Sequence, residues 1–335
     1  MDVPGALLVV LALVLAAEFV NGWTDAPNAI ATVVSTRVLS PTRALLLATA
    51  LNILGTMSGT AVAATIGKGI VRPEVISIYT VGAAMVGIVF WSTVAWYYGL
   101  PTSESHALIA GLSGAALATA GPDALLWAGW KKVLIGLTFS TFLGFLGGLL
   151  LMTAIYRLWA RARPATIRRL FGKLQILSAA FMAFSHGSND GQKFIGAFTL
   201  VLLLSGMIPT FHIELWVILL CATVMGLGTA VGGWRIVRTM GLRLTKLEPV
   251  HGFAAETAAA LTIELASRLG IPLSTTHTIN TAIMGVGTTR RFSAVRWGVS
   301  RDIIVAWILT FPVCGLIAWT VSKLVLALLK SPPSP

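Results

Sequence analysis

Long apolar stretches follow one another along the whole chain, separated by short polar ones. Crossing about 30 Å of hydrocarbon takes roughly 20 apolar residues in a helix. Eight stretches have that scale: 4–36, 44–66, 75–98, 132–158, 174–205, 214–233, 250–269 and 302–328. Charged residues make up 11% of the sequence, against about 25% in a soluble domain. With so little polar surface the chain is expected to be an all-α polytopic membrane protein. Residues 1–4 lack a basic segment and no small-residue cleavage site follows 7–17, so the first stretch reads as a span and not a cleaved signal. Cys221 and Cys314 stand singly in apolar segments and read as packing residues, with no disulfide or metal pair.

The net charge of +12 is concentrated in three clusters. Arg157, Arg161, Arg163, Arg168, Arg169 and Lys173 form the first. Arg235, Arg238, Arg243 and Lys246 form the second, and Arg290, Arg291, Arg296 and Arg301 the third. They are short, flanked by apolar spans and without a base-reading motif, so nucleic acid is not the expected partner. The positive-inside rule makes them cytoplasmic loops beside a lipid bilayer.

The chain repeats itself. Phe19-x-x-Gly22-x-x-Asp25-x-x-x-x-Ile30 recurs as Phe184-x-x-Gly187-x-x-Asp190-x-x-x-x-Ile195, an offset of 190 − 25 = 165. The run from Gly59 to Val62 recurs from Gly228 to Val231, an offset of 228 − 59 = 169. Gly99-Leu100-Pro101-x-Ser103-x-x-His106 recurs as Gly270-Ile271-Pro272-x-Ser274-x-x-His277, an offset of 270 − 99 = 171. Three matches in one order at nearly one offset identify two homologous halves. The expected organisation is an N-terminal repeat at 1–160, a basic linker at 161–173, a C-terminal repeat at 174–328 and a polar tail at 329–335. Whether the repeats are parallel or inverted depends on a crossing parity that spacing alone leaves open.

Polar motifs interrupt the spans at matching places. Asn21 to Asn28 and Ser185 to Lys193 carry Gly, Pro and ionisable groups inside apolar stretches, so both spans are expected to be discontinuous helices bent around a site. The Gly-rich pieces after Pro101 and Pro272 are short for full spans and read as re-entrant helical hairpins. Their Pro-x-Ser openings have the composition of helix starts, which offer unpaired N–H groups, hydroxyls and the positive dipole end to an oxyanion. Thr102, Ser103, Ser105, Ser274, Thr275 and Thr276 are therefore candidate substrate ligands.

Asp25 and Asp190 point to a cation, because a carboxylate in the membrane interior is a functional hypothesis by default. Oxygens of Asn21, Asn28 and Asn189 could complete a shell for sodium, or a proton could serve instead. A cation between the aspartates and an oxyanion gives symport a physical basis. Asn28 aligns with Lys193, so one half carries a fixed positive charge, expected to bind the anion or replace a cation and to favour proton over sodium coupling. Glu256 is a further candidate cation ligand, as are Glu18 and Glu264 more weakly. His106 and His277 could shuttle protons or join helices by hydrogen bonds, and His186 could orient the second motif.

These residues resemble the inorganic phosphate transporter (PiT) family. The stretches that carry the resemblance run from Asn21 to Ala29, from His186 to Lys193 and from Pro272 to His277, within a match over essentially the whole chain. The Gly191-Gln192-Lys193 form of the second motif is similar to the bacterial low-affinity, proton-coupled branch. The resemblance implies inverted repeats with two hairpins, cation-coupled phosphate uptake through the cell membrane, and a homodimer. Asp25, Asn28, Asp190 and the hydroxyls near Ser103 and Ser274 would line the substrate and cation sites. Thr24 departs from the Asn usual before the first Asp, and the large hydrophilic central insertion of longer members is missing.

Two alternatives remain at this level. Some relatives carry sulfate, although an ionised Asp beside the anion favours phosphate, which still has a proton to donate near pH 7. An intramembrane hydrolase would need one asymmetric nucleophile–base pair, and the duplication of Ser, His and Asp argues against it. No enzyme activity, resident metal or cofactor is expected beyond the co-transported proton or sodium ion.

Overall fold

The computed structural model describes residues 3–330. The polar tail expected at 329–335 lies, from residue 331 onward, outside the described residues. Among these residues twelve α-helices follow one another: α1 (Val3–Ser35), α2 (Pro41–Thr56), α3 (Ala61–Gly69), α4 (Ile78–Tyr98), α5 (Glu104–Ala120), α6 (Trp127–Leu158), α7 (Pro164–Leu204), α8 (Leu215–Val231), α9 (Trp234–Arg238), α10 (Pro249–Arg268), α11 (Thr275–Thr288) and α12 (Trp297–Lys330). A π-helical turn at Thr239–Arg243 continues α9. Among the described residues the one β-type pairing is an isolated bridge between Val71 and Leu125. Hydrocarbon offers no partner to backbone polar groups, so each segment satisfies its own by forming a helix.

Among the described residues four helices are long and apolar enough to cross a membrane: α1, α4, α6 and α12. The pairs α2–α3 and α8–α9 would raise this to six if each is one bent span, with bends of 66° and 57°. The basic stretch read as a linker begins to form helix early, because Pro164 occupies the first turn of α7, where its missing N–H is no loss.

The helices pair in an exchanged pattern. α1 packs on α8 while α7 packs on α2, and α5 packs on α12 while α11 packs on α6. Each contact thus joins one repeat to the other, and each has its counterpart with the repeats interchanged. α1 and α7 also touch each other at the centre.

The expected breaks in α1 and α7 are not present. Both helices run without interruption through the motifs at 21–28 and 185–193, and the bends fall instead at 57–60 and at Gly232–Gly233. The glycines explain the difference. A Cβ on Gly22 would lie 2.2 Å from the Met225 carbonyl oxygen on α8, and one on Gly187 would lie 2.2 Å from the Asn52 carbonyl oxygen on α2. From the other side, Gly228 meets the Phe19 carbonyl at 2.2 Å and Gly55 the Phe184 carbonyl at 2.0 Å. The motif glycines are points of backbone contact between helices, as in close-packed membrane pairs. Pro27 stays inside α1, and the α8–α9 bend packs on its ring through Gly233.

The Gly-x-Pro-x-Ser motifs are stop–start signals. Gly99 and Gly270 adopt φ +69° and +65° after α4 and α10, and the bonds Leu100 N–H to Ala95 and Ile271 N–H to Ala266 close the same helix end in both copies. Four residues later Ser103 and Ser274 cap α5 and α11, accepting from the His106 and His277 backbone N–H at 3.3 and 3.1 Å. α5 and α11 are almost wholly buried, with 17 and 14 residues. Short interior helices of this kind agree with the expected hairpins.

Gly187→Ala is expected to destabilise the protein toward the upper end of the roughly 1–3 kcal/mol typical of overpacking, because a carbonyl of a neighbouring helix cannot rotate aside. Gly172→Ala on the same helix, where a Cβ meets nothing within 4 Å, should be neutral or stabilise by up to about 1 kcal/mol. Unfolding of both variants in detergent checks the pair.

Candidate functional site

The polar motifs of α1 and α7 meet the starts of α5 and α11 at one buried centre. Asp25 and Asn28 come from α1, His186, Asp190 and Lys193 from α7, Ser105 from α5, and Thr275 and Thr276 from α11. All are buried, and Lys193 is among the largest fully buried side chains.

Asn28 bridges the two aspartates. Its Nδ2 donates to Thr276 Oγ1 at 2.9 Å and to Thr275 Oγ1 at 3.4 Å. The Thr276 hydroxyl in turn donates to the Asp25 carboxylate at 3.2 and 3.3 Å, and the Thr275 hydroxyl to Asp190 Oδ2 at 2.7 Å. One amide and two hydroxyls therefore connect both carboxylates across the repeats.

Lys193 satisfies all three of its N–H donors. Nζ contacts Asp190 Oδ1 and Ser105 Oγ, and donates to the Leu273 carbonyl at 3.0 Å. Ser105 Oγ also donates to the Leu273 carbonyl at 2.7 Å. The ammonium thus joins α7 to the turns that begin α5 and α11.

A chain of bonds fixes the tautomer of His186. Thr229 Oγ1 donates to the Met225 carbonyl at 3.0 Å, so it accepts from Asn52 Nδ2, also at 3.0 Å. The Asn52 oxygen is then turned to His186 Nδ1, again 3.0 Å away, making Nδ1 the donor. His186 Nε2 is left facing Asp190 Oδ2 at 3.3 Å and Asp25 Oδ2 at 3.9 Å. The ligand atoms of Asp25, His186 and Asp190 all lie within 4.8 Å of one another. This nitrogen can offer a proton to the carboxylates, or its lone pair can join them around a cation.

The remaining expected site residues sit further out. Ser103 and Ser274 are occupied as helix caps, and Thr102 is buried in the turn before α5. Asn189 turns away from the aspartates to hold the α10–α11 turn, donating to Ser267 Oγ at 3.0 Å and the Ile271 carbonyl at 3.2 Å. Asn21 donates to Glu18 Oε2 at 3.0 Å, one turn before Asp25. Glu256 lies in a separate cluster: the Thr32 and Ser178 hydroxyls contact it, and Gln175 Nε2 donates to it at 3.1 Å. Thr32 is two turns beyond Asp25, so Glu256 and Asp25 do not share one shell. The His106 and His277 rings meet edge to face with centroids 4.6 Å apart, and His277 stacks on Trp307 of α12 at 3.7 Å. They are packing groups between α5, α11 and α12. Glu264 pairs with Arg268 at 2.9 Å near the end of α10.

Gln175 leads outward from Glu256 to a second feature. Thr36 Oγ1 donates to Gln175 Oε1 at 2.9 Å, and Thr36 lines a cavity of about 890 Å³. Arg168, Lys246, Arg290 and Arg296 line the same cavity, so all three basic clusters converge on one mouth. Glu248 is its acidic member, paired with Arg290 at 2.6 Å. Burial raises the Glu248 pKa, but the hydrogen bond and charge of Arg290 outweigh it and hold the carboxyl below its ordinary range.

The sequence of the chain matches the pattern of the phosphate transporter family at residues 21–165 and 159–318. It is 43% identical over 314 residues to a probable low-affinity inorganic phosphate transporter of Rhizobium meliloti (strain 1021), covering 93% of this chain and 94% of that protein. A protein of the same description from Bacillus subtilis (strain 168) is 37% identical over 324 residues, covering 95% and 97%. A solved structure described as the sodium-dependent phosphate transporter superposes with a TM-score of 0.88 at 25% identity, covering 97% of this chain and 99% of that one. With its several apolar membrane-length helices, the chain belongs to the phosphate transporter family and is a membrane transporter, not an enzyme.

Proposed function

We propose that the chain carries inorganic phosphate across the cell membrane by cation symport, with alternating access to the centre formed by Asp25, Asn28, Asp190, Lys193, Ser105, Thr275 and Thr276. The observation that carries this reading is the meeting of a buried ammonium and two helix starts with two buried aspartates. The Lys193 ammonium, the hydroxyls of Ser105, Thr275 and Thr276, and the N-terminal turns of α5 and α11 supply positive potential and donors to a phosphate oxygen. Asp25, Asp190 and the free edge of His186 supply the cation side. Lys193 already neutralises Asp190, which favours a proton over sodium as the coupled ion.

The repeats at 1–160 and 174–328 are proposed to have inverted topology, with 161–173 as a cytoplasmic connection. The convergence of the basic clusters supports this orientation, and the cavity they line would be the inner mouth, closed at its floor by Thr36, Gln175 and Glu256. The family resemblance makes a homodimer the expected assembly. Sulfate remains the rival substrate of the same site.

Purified protein in liposomes should accumulate radiolabelled phosphate under an imposed proton gradient, and excess sulfate should not compete. Uptake of sulfate in place of phosphate would transfer the same site to the other anion. Asn28→Leu removes the bridge between the aspartates and should weaken phosphate binding by roughly 1.5–3 kcal/mol, about ten- to a hundredfold, read as a rise in the half-saturating concentration of uptake. Lys193→Asn should shift the coupling toward sodium. Unchanged cation dependence and stoichiometry in that variant would remove Lys193 from the coupling mechanism.

A further inference from the structure

Glu104 is a buried carboxylate that the phosphate and cation ligands do not include. It is the first residue of α5, between Ser103, which caps the helix, and Ser105, which contacts Lys193. The second repeat has Thr275 at the matching position, donating to Asp190. Both carboxylate oxygens of Glu104 meet hydroxyls: Thr24 Oγ1 at 2.9 Å from Oε1, and Ser92 Oγ, which donates to Oε2, at 2.7 Å. Among the described residues no Lys, Arg or His lies at ion-pair distance from it.

The hydroxyl of Thr24 has one hydrogen and two neighbours. It lies 2.9 Å from the Val20 carbonyl oxygen, which can only accept, and 2.9 Å from Glu104 Oε1. With the hydrogen directed to Val20, the contact with Glu104 needs a hydrogen from the carboxyl group itself. A protonated Glu104 completes the chain, Oε1–H to Thr24, Thr24 to Val20, while Oε2 accepts from Ser92. An ionised Glu104 would be a buried charge without a counter-ion.

We propose that Glu104 is the binding site of the proton that travels with phosphate, an inference that rests on the symport reading above. The groups around it fit this role. Asp25 follows Thr24 on α1, Lys193 of α7 contacts Asp190 and the adjoining Ser105, His106 lies two residues further along α5, and the buried Cys314 lies on α12, which packs on α5. Protonated, Glu104 adds no charge beside Ser105 and Lys193, where the anion is held. Ionised, it repels the anion, while the first turn of α5 still offers N–H groups to the released carboxylate. Proton and phosphate therefore strengthen each other's binding by the same factor. The two repeats solve one problem differently: the second holds a fixed ammonium, the first a removable proton.

Glu104→Gln tests this, because the amide can donate to Thr24 and accept from Ser92 as the protonated acid does, yet cannot release a proton. In proteoliposomes, phosphate exchange at equal pH is measured beside accumulation under a proton gradient. Exchange should be slowed but measurable, while proton-driven accumulation is lost and phosphate affinity no longer varies with pH. Accumulation by the variant at the wild-type level would overturn the proposal. Accumulation by the wild type under a sodium gradient alone would overturn it too and leave phosphate symport standing. Infrared spectroscopy decides independently of transport: the wild type should show a protonated carboxyl band that E104Q lacks, and identical spectra would overturn the assignment.

Discussion

Two aspartates buried opposite one imidazole nitrogen repel each other unless positive charge and hydrogen bonds answer them. Their oxygens lie 3.3 and 3.9 Å from His186 Nε2 in a buried setting, where like charges are weakly screened. Lys193 compensates Asp190 directly, while Thr275 and Thr276 bring one donor to each carboxylate and Asn28 orients both hydroxyls. The rest of the molecule is arranged to hold these groups in register. α1 and α7 supply the acids, and the turns before α5 and α11 supply the groups that answer them. No single helix contains a self-sufficient site.

The framework is more symmetric than the chemistry it holds. Gly22 and Gly187 make equivalent backbone contacts, and Gly99 and Gly270 end equivalent helices in the same way. At the centre, in contrast, Asn28 stands opposite Lys193 and Glu104 opposite Thr275. Symmetry in the scaffold gives the two halves equivalent surroundings. Asymmetry in the side chains places different charges on the two sides of that common frame.

Much of this was readable from residue patterns. Hydropathy found the main spans, and the repeat located Asp25, Asp190, Lys193 and the hydroxyls that meet them. It also placed the starts of α5 and α11, because Gly, Pro and Ser at fixed spacing state a helix end and a helix start in local terms. The reading of Gly22 and Gly187 as helix breakers failed for a non-local reason: their missing side chains matter to α8 and α2, which lie far away in sequence. Asn52 and Gln175 carry no motif, and their roles follow only from the helices that pass beside them. Glu256 reads in the sequence as a cation ligand, but its separation from Asp25 is a matter of two helical turns along α1. His186 reads in the sequence only as orienting the second motif, and Glu104 stands between two serines whose hydroxyls are the more obvious ligands.

The exchanged helix pairing has a consequence for how such a molecule is made. α5 is synthesised before residue 121, yet its principal packing partner α12 begins only at Trp297. During most of translation this short, Gly- and Ala-rich helix can rest only on α4, one of its two main neighbours, whereas α11 finds α6 already in place. Insertion therefore passes through a stage in which the first half is in the bilayer but open. α12 closes it, so residues 297–330 decide whether the first half acquires its interior.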